Sequence, residues 1–414
     1  LTTRHEELPM DEQAELMRRH FQNPYASYSM VRGQRLFKDA RGMWYVGHYD
    51  DVDAILKDKR FGKKALPGTE HRLPDIRREA QADELAILNI DPPDHTRIRG
   101  LLTKAFSAPR IEAMRPTIRA LVDSLVDGLT AGRNEGSFEV MRQFAFPIPA
   151  TIISDMLGIP AADRDKFAQL SSAIIEFGSG VAPGQDEAAI RARSARAQEA
   201  VTAFDGYLGG LFETKRRALS DDLTTALIRA EDELGKLSEQ ELRQNVRLLF
   251  MAGHETTVNL IGNALVALYD HPAELAKLKA DPTLWPQAVE EFLRFDSSVQ
   301  QLPRVAQADV EIAGQTILAG EMVVCVLGSA NRDPDVYEHA EALDVERPFV
   351  RSKSFGGGAH FCLGAQLARI ETEIALETLL RRVPNLELTN LAEVEYPLNP
   401  FFRGPVKLLA RWRR

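Results

Sequence analysis

One ten-residue segment holds the side chain best suited to chemistry, a cysteine among glycines: FGGGAHFCLG at residues 355–364. A glycine-rich segment ahead of a helix can bind phosphate, but the dinucleotide-binding pattern needs a third glycine where Phe361 stands. The P-loop pattern needs Gly-Lys-Ser or Gly-Lys-Thr, and the segment has neither. Both nucleotide-binding motifs are therefore excluded, and Cys362 becomes the candidate reactive group.

Cys362 has the surroundings of a thiolate that binds a metal. It precedes a segment of helical periodicity, and the positive end of a helix favours an anion and lowers the pKa of a thiol. The glycines let backbone N–H groups approach the sulfur and leave room for a flat macrocycle over the loop. On haem iron, a cysteine thiolate donates electron density and promotes O–O cleavage. The alternative is a buried structural cysteine in a glycine-rich turn.

A second segment, AGHETT at residues 252–257, interrupts a long helical pattern at its middle. Gly253 and two adjacent threonines are poor helix formers. This breach of local rules predicts a distortion that is kept for function. A threonine hydroxyl in such a place can stop bonding its own backbone and hold a ligand or water instead. The alternative is a structural helix kinked at glycine, with an acid at its surface.

Together the two segments resemble the cytochrome P450 superfamily. The loop matches the haem-binding signature FxxGxxxCxG, and residues 252–257 match the helix pattern Ala/Gly-Gly-x-Asp/Glu-Thr-Thr/Ser. Other family-like segments run from about residue 44 to residue 412. The resemblance implies a mainly α fold with a smaller β-rich region (α+β). Haem would lie between the long central helix and the helix after the cysteine loop.

The resemblance also implies which residues form the site. Cys362 is expected as the axial ligand of a haem b iron. Thr256 is expected to donate a hydrogen bond to the oxygen being reduced, and Glu255 to relay protons towards it, whereas His254 is interpreted as structural. The expected cofactor contacts, of which the histidines and arginines would hold the propionates, are His95, Arg99, Arg304, His360, Phe355, Gly356, Gly358, Gly364 and Ala252.

A charged network is expected on the side of the cysteine. Glu291 and Arg294 match the family's ExxR motif, and their spacing places both charges on one side of a helix. Arg347 is expected as the third member. We interpret this network as structural and assign it no chemistry.

The resemblance implies a mostly apolar substrate pocket, which suits a hydrophobic small molecule. Two stretches would contribute, residues 66–88 and residues 176–184. The individual residues expected to line the pocket are Leu88, Leu249, Ala252, Val299, Leu302, Phe401 and Phe402.

The elements that must position these residues can be predicted from periodicity and caps. Ser238 and Glu241 form a capping box that starts the longest helix, and His271-Pro272 ends it. Residues 91–295 are predicted to be helical, and the β-rich parts are about 30–60 and 299–412. The absence of a linker predicts one domain over residues 1–414.

Composition excludes several classes of protein. The 414 residues carry a net charge of −9, which argues against nucleic acid as a partner. The longest apolar runs are too short for a membrane span. Two cysteines without a CxxC pair predict neither disulfides nor a zinc site, and they favour the reducing cytoplasm. We expect a monomer.

The function expected from all this is a monooxygenase that hydroxylates or epoxidises a hydrophobic substrate. The chain shows no flavin or nicotinamide fingerprint, so the electrons are expected from a ferredoxin and its NAD(P)H-dependent ferredoxin reductase. Arg351, Lys353 and Arg369 flank the loop and predict a basic docking face. The alternatives are a haem-thiolate peroxygenase or oxidative coupling enzyme and, from a different class, a non-catalytic haem-binding sensor.

Overall fold

Helices dominate the chain between residues 94 and 295. The computed structural model describes residues 10–73, 84–178, 187–234 and 237–413. The helices are α1 (Met10–Gln22), α2 (Tyr25–Gln34), α3 (Tyr49–Lys57), α4 (Asp94–Ala105), α5 (Ala108–Glu112), α6 (Arg115–Thr130), α7 (Pro147–Leu157), α8 (Arg164–Gly178), α9 (Glu187–Arg217), α10 (Leu223–Leu234), α11 (Glu239–Asp270), α12 (Pro272–Ala280), α13 (Trp285–Phe295), α14 (Leu327–Ala330) and α15 (Ala365–Arg382).

The central helix α11 begins and ends where its sequence signals predict. Ser238 accepts a hydrogen bond from the Glu241 backbone N–H, and the Glu241 side chain accepts one from the Ser238 N–H. His271 caps the other end, directly before Pro272. At 1.5 Å per residue the 32 residues span about 48 Å. The helix packs against α7, α9, α13 and α15, so most of its length is buried.

Strands from both ends of the chain join in one sheet. The strands are β1 (Leu36–Lys38), β2 (Trp44–Val46), β3 (Phe61–Gly62), β4 (Glu135–Glu139), β5 (Gln301–Ala306), β6 (Val310–Ile312), β7 (Gln315–Ile317), β8 (Met322–Val326), β9 (Glu387–Leu388) and β10 (Leu409–Arg413). The five-stranded sheet has the order β1-β2-β8-β5-β3. Its β2–β8 pair is parallel and its other pairs are antiparallel. β4, β10 and β9 form a second sheet, and β6 and β7 form a hairpin.

Strand β4 corrects the prediction that residues 91–295 are helical. It pairs antiparallel with β10, and Phe138 lies opposite Ala410 with both side chains buried. The partner strand lies some 270 residues further along the chain. Local periodicity cannot report a pairing of that kind, because the strand is stabilised by its distant neighbour.

Two apolar clusters meet along α11. One packs residues of α6, α7 and α13 against α15, with Ile261 and Leu265 of α11 at its centre. The other contains Leu102 of α4, Phe204 of α9 and Phe250 of α11. The central helix is therefore held from both sides, and its register relative to α15 is fixed by packing. Within the described residues, no helix has the length and apolar character that crossing a bilayer requires.

Candidate functional site

The cysteine loop is folded tightly against the end of α3. The Cys362 N–H donates to the Phe355 carbonyl at 3.0 Å, and the Gly356 N–H donates to the Lys353 carbonyl at 2.7 Å. Gly358 has φ +63°, and a Cβ atom there would lie 2.1 Å from the Leu56 carbonyl oxygen. Only glycine fits this position, so the loop approaches α3 more closely than any side chain would allow.

The Cys362 thiol is half-buried, and that burial raises its pKa. The Gly364 backbone N–H, Arg99 and Arg369 act in the opposite direction and lower it. The helix start thus lowers the thiol pKa as predicted, through the Gly364 N–H, but in the protein by itself desolvation outweighs this contact. A coordinated metal removes this obstacle, because a coordinating thiol is deprotonated by the metal.

Four cationic or imidazole side chains gather around the loop. The His95 and His360 rings lie 4.2 Å apart between centroids. Arg99 donates to the Phe361 carbonyl at 2.7 Å. Burial lowers the pKa of His360, and the charges of Lys63 and the buried Arg304 lower it further. The structure thus brings together the four residues expected to hold propionates.

His95 supplies a test of whether an anionic cofactor fits here. Its Nε2 atom is buried and has no hydrogen-bond partner within the described part of the chain. Burial, with His360 and Arg99 nearby, lowers the pKa of His95 to about 4. Buried polar atoms are almost always paired, so an unpaired ring nitrogen beside a second imidazole and Arg99 marks a place for an acceptor. A carboxylate fits that requirement.

The middle of α11 remains a regular helix, which corrects the predicted distortion. The Thr256 hydroxyl donates to the Ala252 carbonyl at 3.0 Å, a bond within its own helix. Gly253 has a packing role, because a Cβ atom there would lie 2.8 Å from Ile153 Cγ1 of α7. The glycine thus allows α7 to approach closely and does not mark a kink.

Glu255 and His254 are neighbours on this helix, but their side chains differ in burial and in contacts. Glu255 is half-buried; burial raises its pKa, and a hydrogen bond from the Asn259 side chain acts against that rise. His254 is fully buried, with Nδ1 2.8 Å from the Phe250 carbonyl and an edge-to-face contact with Phe146. The contacts of His254 agree with a structural role. The raised pKa of Glu255 means that its carboxyl keeps a proton to higher pH than an exposed glutamate does.

Glu291, Arg294 and Arg347 lie together in one buried network. Arg294 donates two hydrogen bonds to the Glu291 carboxylate, each 2.7 Å long. Arg347 Nε lies 3.1 and 3.2 Å from the same carboxylate. Arg294 also donates to the carbonyls of Ala340 and Ala342. The charges therefore tie α13 to the loop that leads to Cys362.

Comparison with known proteins decides the family. The family model for cytochrome P450 matches residues 25–400. The chain belongs to the cytochrome P450 family. It is 39% identical to a vitamin D(3) 25-hydroxylase of Pseudonocardia autotrophica, over 93% of this chain and 92% of that protein. It is 38% identical to the cytochrome P450 monooxygenase PikC of Streptomyces venezuelae, over 95% of this chain and 92% of that one.

A solved P450 structure has the same fold. The crystal structure of P450BioI in complex with hexadec-9Z-enoic acid ligated acyl carrier protein matches with a TM-score of 0.86 and 32% identity. It covers 96% of this chain and 100% of that one. The predicted fold class and the predicted enzyme class, a P450 monooxygenase, are confirmed, and with them a haem-thiolate cofactor.

The basic docking face predicted for this P450 is only partly present. Lys353 is buried, with Nζ 2.6 Å from Asp53 Oδ1 and 3.7 Å from the centre of the Tyr49 ring. Arg369 pairs with Glu290. Arg351 alone of the three predicted cations is exposed, and its guanidinium stacks on Phe361. Proximity to the loop in the sequence could not reveal that Lys353 and Arg369 pair with acidic residues that lie far away in the chain.

Some residues predicted to line the pocket of this P450 are in contact. Val299 and Phe402 form an isolated antiparallel bridge, and Phe401 accepts a hydrogen bond from the Gln300 N–H at 2.8 Å. Leu302 reaches the cysteine loop, since a Cβ atom on Gly356 would lie 3.1 Å from Leu302 Cδ1. These residues therefore adjoin one another at the start of β5.

The other residues predicted to line the pocket differ in their exposure to solvent. Ala252 is exposed on α11, although most of that helix is buried. Leu249 is buried in the cluster that includes Ile87, whereas Leu88 is 44% exposed. Of the two stretches predicted to contribute, residues 74–83 and 179–184 lie outside the described residues.

Sequence reasoning missed three charged residues of this P450, of which two are buried and Asp91 is partly buried. Asp91 was interpreted only as part of the Asp-Pro-Pro start of α4, yet its carboxylate faces His360. Lys63 carried no motif, but it is buried and its charge acts on His360. Glu371 interrupts the apolar face of α15, and that irregularity was its only signal.

Proposed function

We propose that this P450 contains haem b and inserts one atom of O2 into an apolar small molecule, by hydroxylation or epoxidation, as a monomer. The observation that carries the proposal is the surroundings of the cysteine loop: the charges of Arg99 and Arg369 lower the pKa of Cys362, and His360 of the same loop lies 4.2 Å from the ring of His95. The buried Nε2 of His95 has no hydrogen-bond partner among the described residues. Cys362 would bind the iron. His95, Arg99, Arg304 and His360 would hold the propionates.

When bound, a thiolate-ligated haem supplies the electron density that promotes O–O cleavage. The chain supplies the proton. Because burial raises the pKa of Glu255, this carboxyl can hold a proton closer to neutral pH than an exposed glutamate. The Thr256 hydroxyl lies on the next residue and can exchange its bond to the Ala252 carbonyl for one to oxygen or water. General acid catalysis needs such a positioned donor.

The substrate class follows from the residues that adjoin the loop. Leu302, Val299, Phe401 and Phe402 are half-buried apolar side chains, which favour a hydrophobic ligand. The names of two relatives point the same way, one a vitamin D(3) hydroxylase and the other a structure with a fatty acid carried on a protein. We therefore propose a lipid-like substrate.

Ferredoxin, reduced by an NAD(P)H-dependent reductase, is the proposed electron donor. An open depression next to the cysteine loop is lined by α4 and Ala359. Lys104 is exposed in it, and Arg351 is exposed on the other flank of the loop. An acidic partner would be attracted to these two cations. The rest of the predicted basic face is neutralised by ion pairs.

The first experiment compares absorption spectra of the reduced carbon monoxide complex. The wild type should show the strongly red-shifted band of thiolate-bound haem. Cys362→His should lose that band, whereas Cys325→Ala should keep it, because Cys325 is a core residue of β8. A wild-type spectrum like that of a histidine-ligated globin would refute the proposal.

A second experiment separates the rival functions. Turnover of a lipid-like substrate should require electrons and O2 together. Product formed as readily from peroxide alone would favour a peroxygenase, and product that contains no oxygen atom from O2 would favour oxidative coupling. Haem binding without turnover, whether electrons with O2 or peroxide alone is supplied, would favour a sensor.

A further inference from the structure

We infer that Asp91 is a positioning residue for His360, holding its imidazole so that the other edge of the ring is presented to a cofactor carboxylate. The inference rests on the proposed function, because it gives His360 a propionate to bind. It adds to that function a carboxylate that touches neither iron nor cofactor and acts through the histidine. At metal sites, a carboxylate commonly accepts a hydrogen bond from the far side of a histidine ligand and so orients its ring.

The Asp91 carboxylate is itself held rigidly. It accepts hydrogen bonds from the Lys63 N–H at 2.9 and 3.0 Å and from the Lys64 N–H at 2.9 Å. Although burial alone would raise the pKa of Asp91, His360 and these two N–H groups lower it to about 2. The carboxylate therefore sits at the junction of three segments: the end of β3, the start of α4 and the cysteine loop.

Gly62 makes room for this arrangement. A Cβ atom at Gly62 would lie 2.7 Å from Asp91 Oδ2 and 3.1 Å from Oδ1 and from the carboxyl carbon. Gly62 has an ordinary backbone conformation, since its φ is not in the left-handed region. The glycine is therefore explained by the space that the carboxylate occupies and not by backbone strain.

His360 is enclosed by Asp91 and His95. Its Nε2 atom lies 3.9 Å from Asp91 Oδ1, and its ring is tilted by 50° against the His95 ring at 4.2 Å. The carboxylate attracts the Nε2 edge, and the His95 ring limits rotation. That leaves Nδ1, on the opposite edge, for a carboxylate of the cofactor.

A purely structural role is the competing explanation, because Asp91 also anchors the backbone of residues 63 and 64. The two explanations differ in whether the effect of Asp91 depends on the His360 ring. A double-mutant cycle measures that dependence. His360→Phe is a suitable partner variant, since phenylalanine keeps a ring next to His95 but has no nitrogen to position.

The experiment measures the rate at which haem leaves the holoprotein for an excess of apomyoglobin, together with the ferric–ferrous midpoint potential. Asp91→Asn keeps an oxygen that can accept from the Lys63 and Lys64 N–H groups, but it removes the charge facing His360. We expect haem release to be accelerated by about tenfold and the potential to shift. In the His360→Phe protein, the same substitution should change neither quantity further.

Gly62→Ala provides an independent variant, because it displaces the carboxylate without removing its charge. It should accelerate haem release in the same direction as Asp91→Asn. Gly33→Ala is the matched control and should behave as wild type, since a Cβ atom at Gly33 meets nothing within 4 Å.

Two results would overturn the inference: wild-type release rates in Asp91→Asn, or an equally large effect of Asp91→Asn in the His360→Phe protein. The second result would assign Asp91 a purely structural role. A wild-type protein that takes up no haem would instead refute the proposed function, so the two failures are distinguishable.

Discussion

The Glu291 network and the middle of α11 each shield a carboxylate from water, but the two carboxylates differ in how many hydrogen-bond partners they have. Glu291 is 3% exposed and accepts from Arg294, Arg347 and the backbone N–H of Asp344. Glu255 has the side chain of Asn259 as its hydrogen-bond partner. The adjacent Thr256 hydroxyl bonds only within its own helix among the described contacts.

The number of hydrogen-bond partners distinguishes a carboxylate that stabilises the fold from one that can transfer a proton. A buried charge whose hydrogen bonds are all satisfied is held rigidly by its partners. A carboxyl that is desolvated with few partners has a raised pKa and can give or take a proton at lower cost. Substitutions in the first region should therefore change stability, and substitutions in the second should change catalysis.

The largest expected effect is on the network. Glu291→Ala leaves Arg294 and Arg347 without their shared carboxylate, and removing one partner of a buried pair costs about 3–5 kcal/mol. The free energy of unfolding, from urea titration of the holoprotein, should fall by that amount. Glu387→Ala is the control: its pair with Arg411 is exposed, so it should cost less than about 1 kcal/mol. Similar losses in both variants would contradict the comparison.

Thr256→Ala should impair catalysis and leave stability unchanged, the opposite of the effect expected for Glu291→Ala. Alanine is the better helix former, so folding, haem uptake and substrate binding should be preserved. Proton delivery loses its positioned hydroxyl, which costs on the order of a hundredfold in that step. The measurement is the product formed per reduced nicotinamide consumed, with more of the electrons leaving as hydrogen peroxide.

Thr256→Ser serves as the conservative variant, because it keeps the hydroxyl and should restore most of the coupling. Turnover driven by hydrogen peroxide should suffer far less than turnover with O2. An unchanged coupling ratio in Thr256→Ala would show that protons arrive by another path.

Glu371 provides a further test of how hydrogen-bond partners affect a buried carboxyl, at a position in the core of the protein. It is fully buried on α15, both carboxylate oxygens lack a hydrogen-bond partner within the described residues, and burial raises its pKa well above 4.5. Above pH 4.5 the unfolded chain releases this proton while the folded protein keeps it. The contribution of Glu371 to the free energy of unfolding should therefore fall by about 1.4 kcal/mol per pH unit until the folded pKa is reached.

Glu371→Met removes this group and keeps a similar length of side chain. Its stability relative to wild type, from unfolding at pH 5 and pH 8, should be more favourable at pH 8. An equal difference at both pH values would mean that Glu371 has an ionic partner in the folded holoprotein.

The smallest effect is expected at the surface. Arg351→Glu and Lys104→Glu should each slow electron transfer from an acidic ferredoxin severalfold at low salt. The loss should shrink as ionic strength rises, because exposed charges are screened. Substrate affinity should not change. Lys407→Glu, exposed next to β10 in a different sheet, should leave the rate as in wild type; an equal slowing there would exclude a local docking site.

Sequence reasoning succeeded where signals were local. The capping box at Ser238 and the His271-Pro272 stop predicted the limits of α11, and the spacing of the Cys362 loop identified the family. It failed where a partner lies far away in the chain. Lys353 looks like a surface cation until Asp53, 300 residues earlier, is placed beside it.

The segment AGHETT, which we propose to deliver protons, shows a second way in which sequence reasoning failed. Gly253 and Thr256 break helix preferences, and that breach was interpreted as distortion. The helix is regular, because Gly253 makes room for Ile153 and Thr256 bonds back to Ala252. Propensity reports that a position is unusual but not which neighbour makes it so.

The parallel pairing of β2 with β8 has a consequence for how the chain is made. Trp44 lies opposite Val323, about 280 residues later. At typical ribosomal speeds, the first strand waits on the order of half a minute for its partner to be synthesised. Until then the N-terminal hairpin of β1 and β2 exposes an unpaired edge to other nascent chains. Because Cys362, the proposed iron ligand, emerges later still, we expect thiolate ligation of haem to follow synthesis of nearly the whole chain.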